Sequence, residues 1–305
     1  MTPTCHSGRR TAHLQNKAQV ESGCIALAAL KPSTATSWSR SNHQYGTIMA
    51  SAFSRRAIVI MCTRKGWLRN RIRIASKEPN HLLRMDAQKI DVGAAGSVTG
   101  ILQVPERASA CYVVAHGAGA GITHPFMTAV ADGLYARQIS TLRYHFPYME
   151  RGLKRPDSPA TAHATVRAAV SEAKRQVPSL PLLAGGKSFG GRMTSQAQAE
   201  APLPYIQGLV FFGFPLHVAG KPSMLRARHL MQVQVPMLFL QGTRDTLADI
   251  GLMATTTGAL GQRATLVEIN DGDHSYHVSV RSGETDAQAL SEMLDAVGAW
   301  ISAQT

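Results

Sequence analysis

The chain has 305 residues, enough for one large domain or two small ones, and 44% of them are hydrophobic, enough for a sizeable core. Its formal net charge of +13 is lopsided: residues 1–84 hold 14 Lys/Arg against 2 Asp/Glu, and residues 85–305 hold 18 against 17. Three of the four cysteines (Cys5, Cys24, Cys62) lie in the basic part, and no apolar run nears the ~18 residues of a membrane span, which excludes a disulfide scaffold and an apolar spanning helix.

Residues 1–84 show no sustained helical or strand periodicity and are rich in Ser, Thr, Arg and His. They read as a basic, poorly ordered extension. Two alternatives share that composition: a transit peptide, or an arm contacting nucleic acid or an acidic membrane, for which Arg64–Arg73 interleaves basic residues with Trp67. The cysteine usage fits a reducing compartment, so the expected location is cytoplasmic, or an organelle if the extension is a transit peptide. The pattern changes at Met85. Val98–Val104 reads as a strand. Cys111–Ala115 is a second, buried one, with Cys111 a small hydrophobe within it. It ends in His116-Gly117-Ala118-Gly119-Ala120-Gly121. A helix is expected over Pro125–Arg137 and a strand over Thr141–Phe146. Ser158-Pro159 opens another helix, with a serine cap and proline in the first turn; Val166, Ala169, Val170, Ala173 and Val177 give it one apolar face. The apolar run Leu180–Ala184 is followed by Gly186-Lys187-Ser188-Phe189-Gly190 and a further helix. Leu209–Phe212, Met237–Leu240 and Ala264–Ile269 are strands. Leu290, Met293, Leu294, Val297 and Ile301 mark a closing helix, with Met293 and Trp300 in the core.

Strands apolar throughout, alternating with helices, imply an α/β domain over 85–305: a mostly parallel central sheet with helices on both faces. Arg151–Pro159 and Pro215–Ser223 are turn-rich, so either could carry a small lid; no large cap is expected.

A serine between two glycines at a strand-to-helix turn is a nucleophile elbow. The turn is so tight that positions two before and two after the serine cannot carry bulky side chains. A serine hydroxyl needs a base and an acid that orients the base. On such a sheet the acid and then the histidine follow the serine, each after a later strand. Asp245, in Gln241-Gly242-Thr243-Arg244-Asp245, follows one strand; His274, in Gly272-Asp273-His274, follows the next. Asp249 is the rival acid and His277 the rival base; Asp271 and Asp273 read as turn residues. The expected oxyanion donors are the backbone N–H groups of Phe189 and of Ala118, with Gly119 next. His116 is expected to brace that turn. The cations Lys187, Arg143 and Arg192, with His145 and Tyr148, are candidates to line the mouth and favour an acidic or polar substrate; the plainer alternative for the cations is a bracing role at the elbow. Gly186-Lys187-Ser188 also ends like a phosphate-binding loop, but that motif needs glycine where Pro181 stands. No cofactor and no metal is expected.

As a set, His116–Gly121, Arg143–Tyr148, Gly185–Arg192, Gln241–Asp245 and Gly272–His274 resemble the alpha/beta-hydrolase fold. They resemble in particular its small, cap-poor branch of dienelactone-hydrolase-like proteins and the hydrolase-like domain of an NSL chromatin-complex subunit. The resemblance covers residues 85–305. It implies Ser188 as nucleophile, His274 as general base and Asp245 as its orienting acid, acting on a small-molecule acyl substrate: an ester, or a thioester or lactone. Dienelactone hydrolases proper use a cysteine where position 188 is serine. The chromatin relative implies the alternative of a non-catalytic interaction module that keeps the fold. Oligomeric state is left open.

Overall fold

The computed structural model describes residues 16–18, 48–52, 57–63, 66–68 and 85–304, with side chains from Ala87 onward. The chain divides into two units, Met1–Asn80 and His81–Thr305. The first contains strands β1 (Asn16–Ala18), β2 (Ile48–Ala52), β3 (Ala57–Thr63) and β4 (Gly66–Leu68), paired antiparallel in chain order. The expectation of a poorly ordered basic extension otherwise falls on residues outside the described set, Arg64-Lys65 and Arg69–Arg73 among them. The sequence boundary at Met85 lies just inside the second unit.

The second unit is built on an eight-stranded sheet. Its strands are β5 (Met85–Asp91), β6 (Ser97–Gln103), β7 (Ala110–Ala115), β8 (Ile139–Tyr144), β9 (Leu182–Lys187), β10 (Ile206–Phe212), β11 (Met237–Gly242) and β12 (Ala264–Ile269). The order across the sheet is β12-β11-β10-β9-β7-β8-β6-β5. From β8 through β12 every neighbouring pair is parallel, and only β6 runs against the rest. The helices are α1 (Pro125–Ala136), the short α2 (Pro147–Glu150), α3 (Pro159–Gln176), α4 (Phe189–Glu200), α5 (Ile250–Leu260) and α6 (Asp286–Ser302). Among the described residues, none is long and apolar enough to cross a membrane.

The apolar strands have a direct cause. Successive side chains of a strand point to opposite faces, and both faces are covered. Phe211 of β10 joins a core with Val166 and Val170 of α3, Met193 of α4 and Met253 of α5. Its neighbour Phe212 joins the other core, with Met127 and Val130 of α1 and Met293, Val297 and Trp300 of α6. Each such phenyl burial contributes about 1.5–3 kcal/mol. Cys111 is buried in β7, which pushes its thiol up to about 12. Helix entries follow the sequence signals: the Ser158 hydroxyl accepts from Thr161 N–H with Pro159 next in line, and Thr285 and Gln288 form a reciprocal capping box at α6.

The topology sets the site. From β7 the chain steps to β8 on one side and then to β9 on the other, so the loops after β7 and β9 diverge at a switch point. The crevice there, beyond the carboxyl ends of the strands, is where open α/β sheets place ligands. Among residues 85–304 no separate domain is inserted between these elements. The turn-rich stretches Arg151–Pro159 and Pro215–Ser223 are short connections rather than a cap, the second buried over Pro215–His217 and exposed over Val218–Pro222.

Candidate active site

The elbow forms where β9 ends at Lys187 and α4 begins at Phe189. Between them Ser188 has φ 49° and ψ −110°, a conformation that disfavours a side chain. It is held from both sides: Ser188 N–H donates to Phe212 O at 3.0 Å, and Ser188 O accepts from Arg192 N–H at 3.0 Å. The two glycines are sterically required. A Cβ on Gly186 would stand 2.2 Å from Ala115 O, and one on Gly190 would stand 2.5 Å from His116 O. The turn therefore packs directly against the end of β7, as its spacing predicts.

Three side chains that are distant in sequence form one hydrogen-bonded series. Ser188 Oγ lies 2.9 Å from His274 Nε2, and His274 Nδ1 lies 2.7 Å from Asp245 Oδ2. The Asp245 side chain is fully buried, while that of His274 is 23% exposed and so open to the mouth. The carboxylate is held by two further donors: Gln241 Nε2 reaches Oδ2 at 2.6 Å, and Leu247 N–H reaches Oδ1 at 2.7 Å. An acceptor so surrounded fixes Nδ1 of His274 as the protonated nitrogen and leaves Nε2 to accept from the serine hydroxyl. Gln241 has no counterpart among the sequence candidates. Its signal was weak: a polar residue closing an apolar strand, four before the acid.

The rivals lie elsewhere. His277 is exposed and pairs with Asp286 at 2.7 Å, which raises its pKa above the ordinary value. Asp249 caps α5, accepting from Leu252 N–H. Asp273 accepts from Ser275 N–H and His277 N–H within its own turn, and Asp271 binds Ser279 and Arg244.

The turn after β7 is braced from below. His116 is buried; its Nδ1 meets Gly117 O at 2.7 Å, and its Nε2 meets Phe146 N–H at 3.1 Å. A nitrogen facing an N–H must accept, so the ring is neutral with its proton on Nδ1. Burial lowers its pKa to about 4. Gly119 N–H donates to the Tyr148 hydroxyl at 3.0 Å, which occupies the second choice for the oxyanion. The N–H groups of Ala118 and Phe189 have no hydrogen-bond partner among the described residues. Ala118 is exposed at the turn, and Phe189 is the first residue of α4, where an N–H has no partner within the helix.

Among the predicted mouth cations, Arg143 is not at the mouth. It is 1% exposed and donates from Nη1 to Ile122 O and Thr128 Oγ1, each at 3.1 Å. Strand alternation turns it beneath the 117–124 segment, which it braces. His145 is half-buried below Gly121, and burial lowers its pKa. Tyr148 is buried as well, with only its hydroxyl engaged at the turn. Arg192 is half-buried on α4, where burial and then the Arg226 charge lower its pKa. Lys187 leaves the elbow toward α1 and α6. Its Nζ donates to His274 O and lies 4.5 Å from the Tyr276 ring centre and 5.6 Å from that of Phe126.

A family model described as an alpha/beta hydrolase domain matches residues 108–302. The chain belongs to the alpha/beta-hydrolase family. Solved structures share the fold at low identity. A serine hydrolase of Xanthomonas campestris, described as without a lid, is 22% identical with a TM-score of 0.56, over 71% of this chain and 94% of that one. Dienelactone hydrolase from Anabaena variabilis is 20% identical with a TM-score of 0.58, over 72% and 98%. The esterase domain of a Rhodothermus marinus protein is 16% identical with a TM-score of 0.54, over 71% and 97%. This alpha/beta hydrolase thus shares its fold with proteins described as a lidless serine hydrolase and a dienelactone hydrolase, as its motifs imply.

Proposed function

We propose that this alpha/beta hydrolase is a serine esterase that cleaves a carboxylic ester, a thioester or lactone included, through an acyl-serine intermediate. The observation that carries the reading is the series Ser188–His274–Asp245 on a strained elbow, with distances of 2.9 and 2.7 Å. The ester and lactone cleavage named for the Rhodothermus and Anabaena proteins are both acyl transfers to water.

In this reading the Ser188 hydroxyl gives its proton to His274 Nε2 as Oγ attacks the carbonyl carbon. The π electrons move to the carbonyl oxygen, which the Ala118 and Phe189 N–H groups receive. Collapse of the adduct breaks the bond to the leaving oxygen or sulfur, which takes the proton from Nε2. A water molecule, deprotonated by the same nitrogen, then attacks the acyl-serine; the acid departs and the hydroxyl is restored. Asp245 keeps Nδ1–H directed and stabilises the transient imidazolium. Oxyanion donors of this kind contribute about 10²–10³ in kcat each.

The test is active-site labelling with a fluorophosphonate, followed by an ester panel of varied acyl length. Stoichiometric labelling that Ser188→Ala abolishes, with ester turnover lost in the same variant, is the expected result. A folded wild type that neither labels nor turns over any ester would leave the interaction-module reading in its place.

A further inference from the structure

Behind the His274 loop lies a second cavity, of about 430 Å³, between the start of α1 and the first turns of α6. That volume is within the range of small-molecule sites. Phe126 and Met127 form one wall and Leu290 and Met293 another; Tyr276 and Lys187 close the inner end. Phe126 and Tyr276 stack with ring centres 5.7 Å apart. The inner part of the cavity is therefore an apolar slot with the Lys187 ammonium at its end, and His124, Ser275, His277 and Asp286 form a polar rim.

Among the described residues that cation has no ion-pair partner. An ammonium carries three donors, and the hydrogen bond described for Lys187 is the one to His274 O. The two carboxylates whose charge reaches it, Asp245 and Asp273, are engaged elsewhere, the first by His274, Gln241 and Leu247 and the second by its own turn. Asp286 at the rim is held by His277 and by Val278 N–H. Burial draws the Lys187 pKa down to about 8, which still leaves the amine mostly protonated at neutral pH. A buried charge without a paired anion is costly, and rings supply it only partly.

We propose that this cavity binds a small apolar carboxylate, its anion paired with the Lys187 ammonium and its hydrocarbon or aromatic body held among Phe126, Met127, Leu290 and Met293. The anion supplies the missing charge, and the slot fits a body of one ring or a short chain. The site is separate from the Ser188 mouth, because strand alternation sends Lys187 to the α1 and α6 face. The inference stands whether or not Ser188 is a nucleophile.

The probe pair is 3-phenylpropionate and its neutral counterpart 3-phenylpropanamide, titrated calorimetrically into the full chain at pH 7. The acid should bind at least about tenfold more tightly than the amide, the margin expected for a charge-assisted bond. Lys187→Met should erase that preference while leaving amide binding within about twofold. Leu290→Trp, which fills the slot and leaves the lysine in place, should weaken both ligands by about tenfold or more, with the circular dichroism spectrum of the fold retained. Equal binding of acid and amide to the wild type would overturn the proposal. So would acid binding that survives Leu290→Trp unchanged, since the ligand would then sit elsewhere, or a preference for the acid that survives Lys187→Met.

Discussion

The two loops that flank the elbow are held in opposite ways. The turn after β7 rests on buried, uncharged hydrogen bonds from His116 and Tyr148, with the charged Arg143 beneath it. The loop after β12 is tied by charge: Arg244 on Asp271, Lys187 on the His274 carbonyl, His277 on Asp286. One loop presents backbone N–H groups, whose value lies in staying where they are. The other presents an imidazole that, in the proposed reaction, gains and loses a proton in each turnover. Two histidines sum up the contrast. His116 is locked neutral and inert, whereas His274 stands between a carboxylate and a hydroxyl.

The largest test of that contrast exchanges each histidine for glutamine. His274→Gln should lower kcat by about 10⁴ or more toward a p-nitrophenyl ester, whereas His116→Gln should leave kcat within about tenfold. Comparable losses in both variants would remove the distinction. Asp245→Asn should cost about 10³–10⁴ in kcat, because the amide can present N–H to Nδ1 and favour the wrong tautomer. Gln241→Leu, which removes one of the donors on that carboxylate, should cost only about tenfold, with KM unchanged, as expected of a positioning residue.

Acid sharpens the comparison on the stability side. His116 has a folded-state pKa near 4 against an ordinary value near 6.5. Between those values the unfolded chain binds the proton and the folded one does not, so stability is full above about pH 6.5 and is lost as pH falls toward 4. From pH 7 to pH 5 this one side chain should account for about 2 kcal/mol of lost unfolding free energy, read from urea titrations; His116→Gln should flatten the decline. His229, lowered to about 4 by burial and then by Arg192, and His145, lowered by burial, add to the same decline, so part of it remains in the variant. The smallest expected effect is that of His277→Ala, with turnover within about twofold. A large loss there would move the base from residue 274 to residue 277.

Much of this was legible because the fold writes itself in apolar strands and obligatory glycines. Phe211 and Phe212 read as strand because each faces a covered side. Gly186 and Gly190 read as elbow because a Cβ at either would strike β7. The acid and the histidine were legible because each follows its own strand. What escaped detection lacked such a signature. β5, Met-Asp-Ala-Gln-Lys-Ile-Asp, is an edge strand with water on one side, and its polar residues mask its pairing. Arg143 reads equally as a mouth cation or a brace, since nothing in one dimension shows that its strand-end position faces inward. The Tyr148 hydroxyl acts through a contact between loops, which no local spacing encodes, and Gln241, four residues before Asp245, was marked only by its polarity at the end of an apolar strand.

Lys187 and Ser188 are adjacent, yet their side chains meet His274 at different points, the first at its carbonyl and the second at its ring. Peptide bonds and hydrogen bonds together close a small ring through the elbow, clamping the imidazole at its root and at its tip. Such a clamp leaves the ring little room to swing away. In the proposed reaction its redirection from serine to leaving group would then come from modest torsion about its own side-chain bonds, in a site assembled before the substrate arrives.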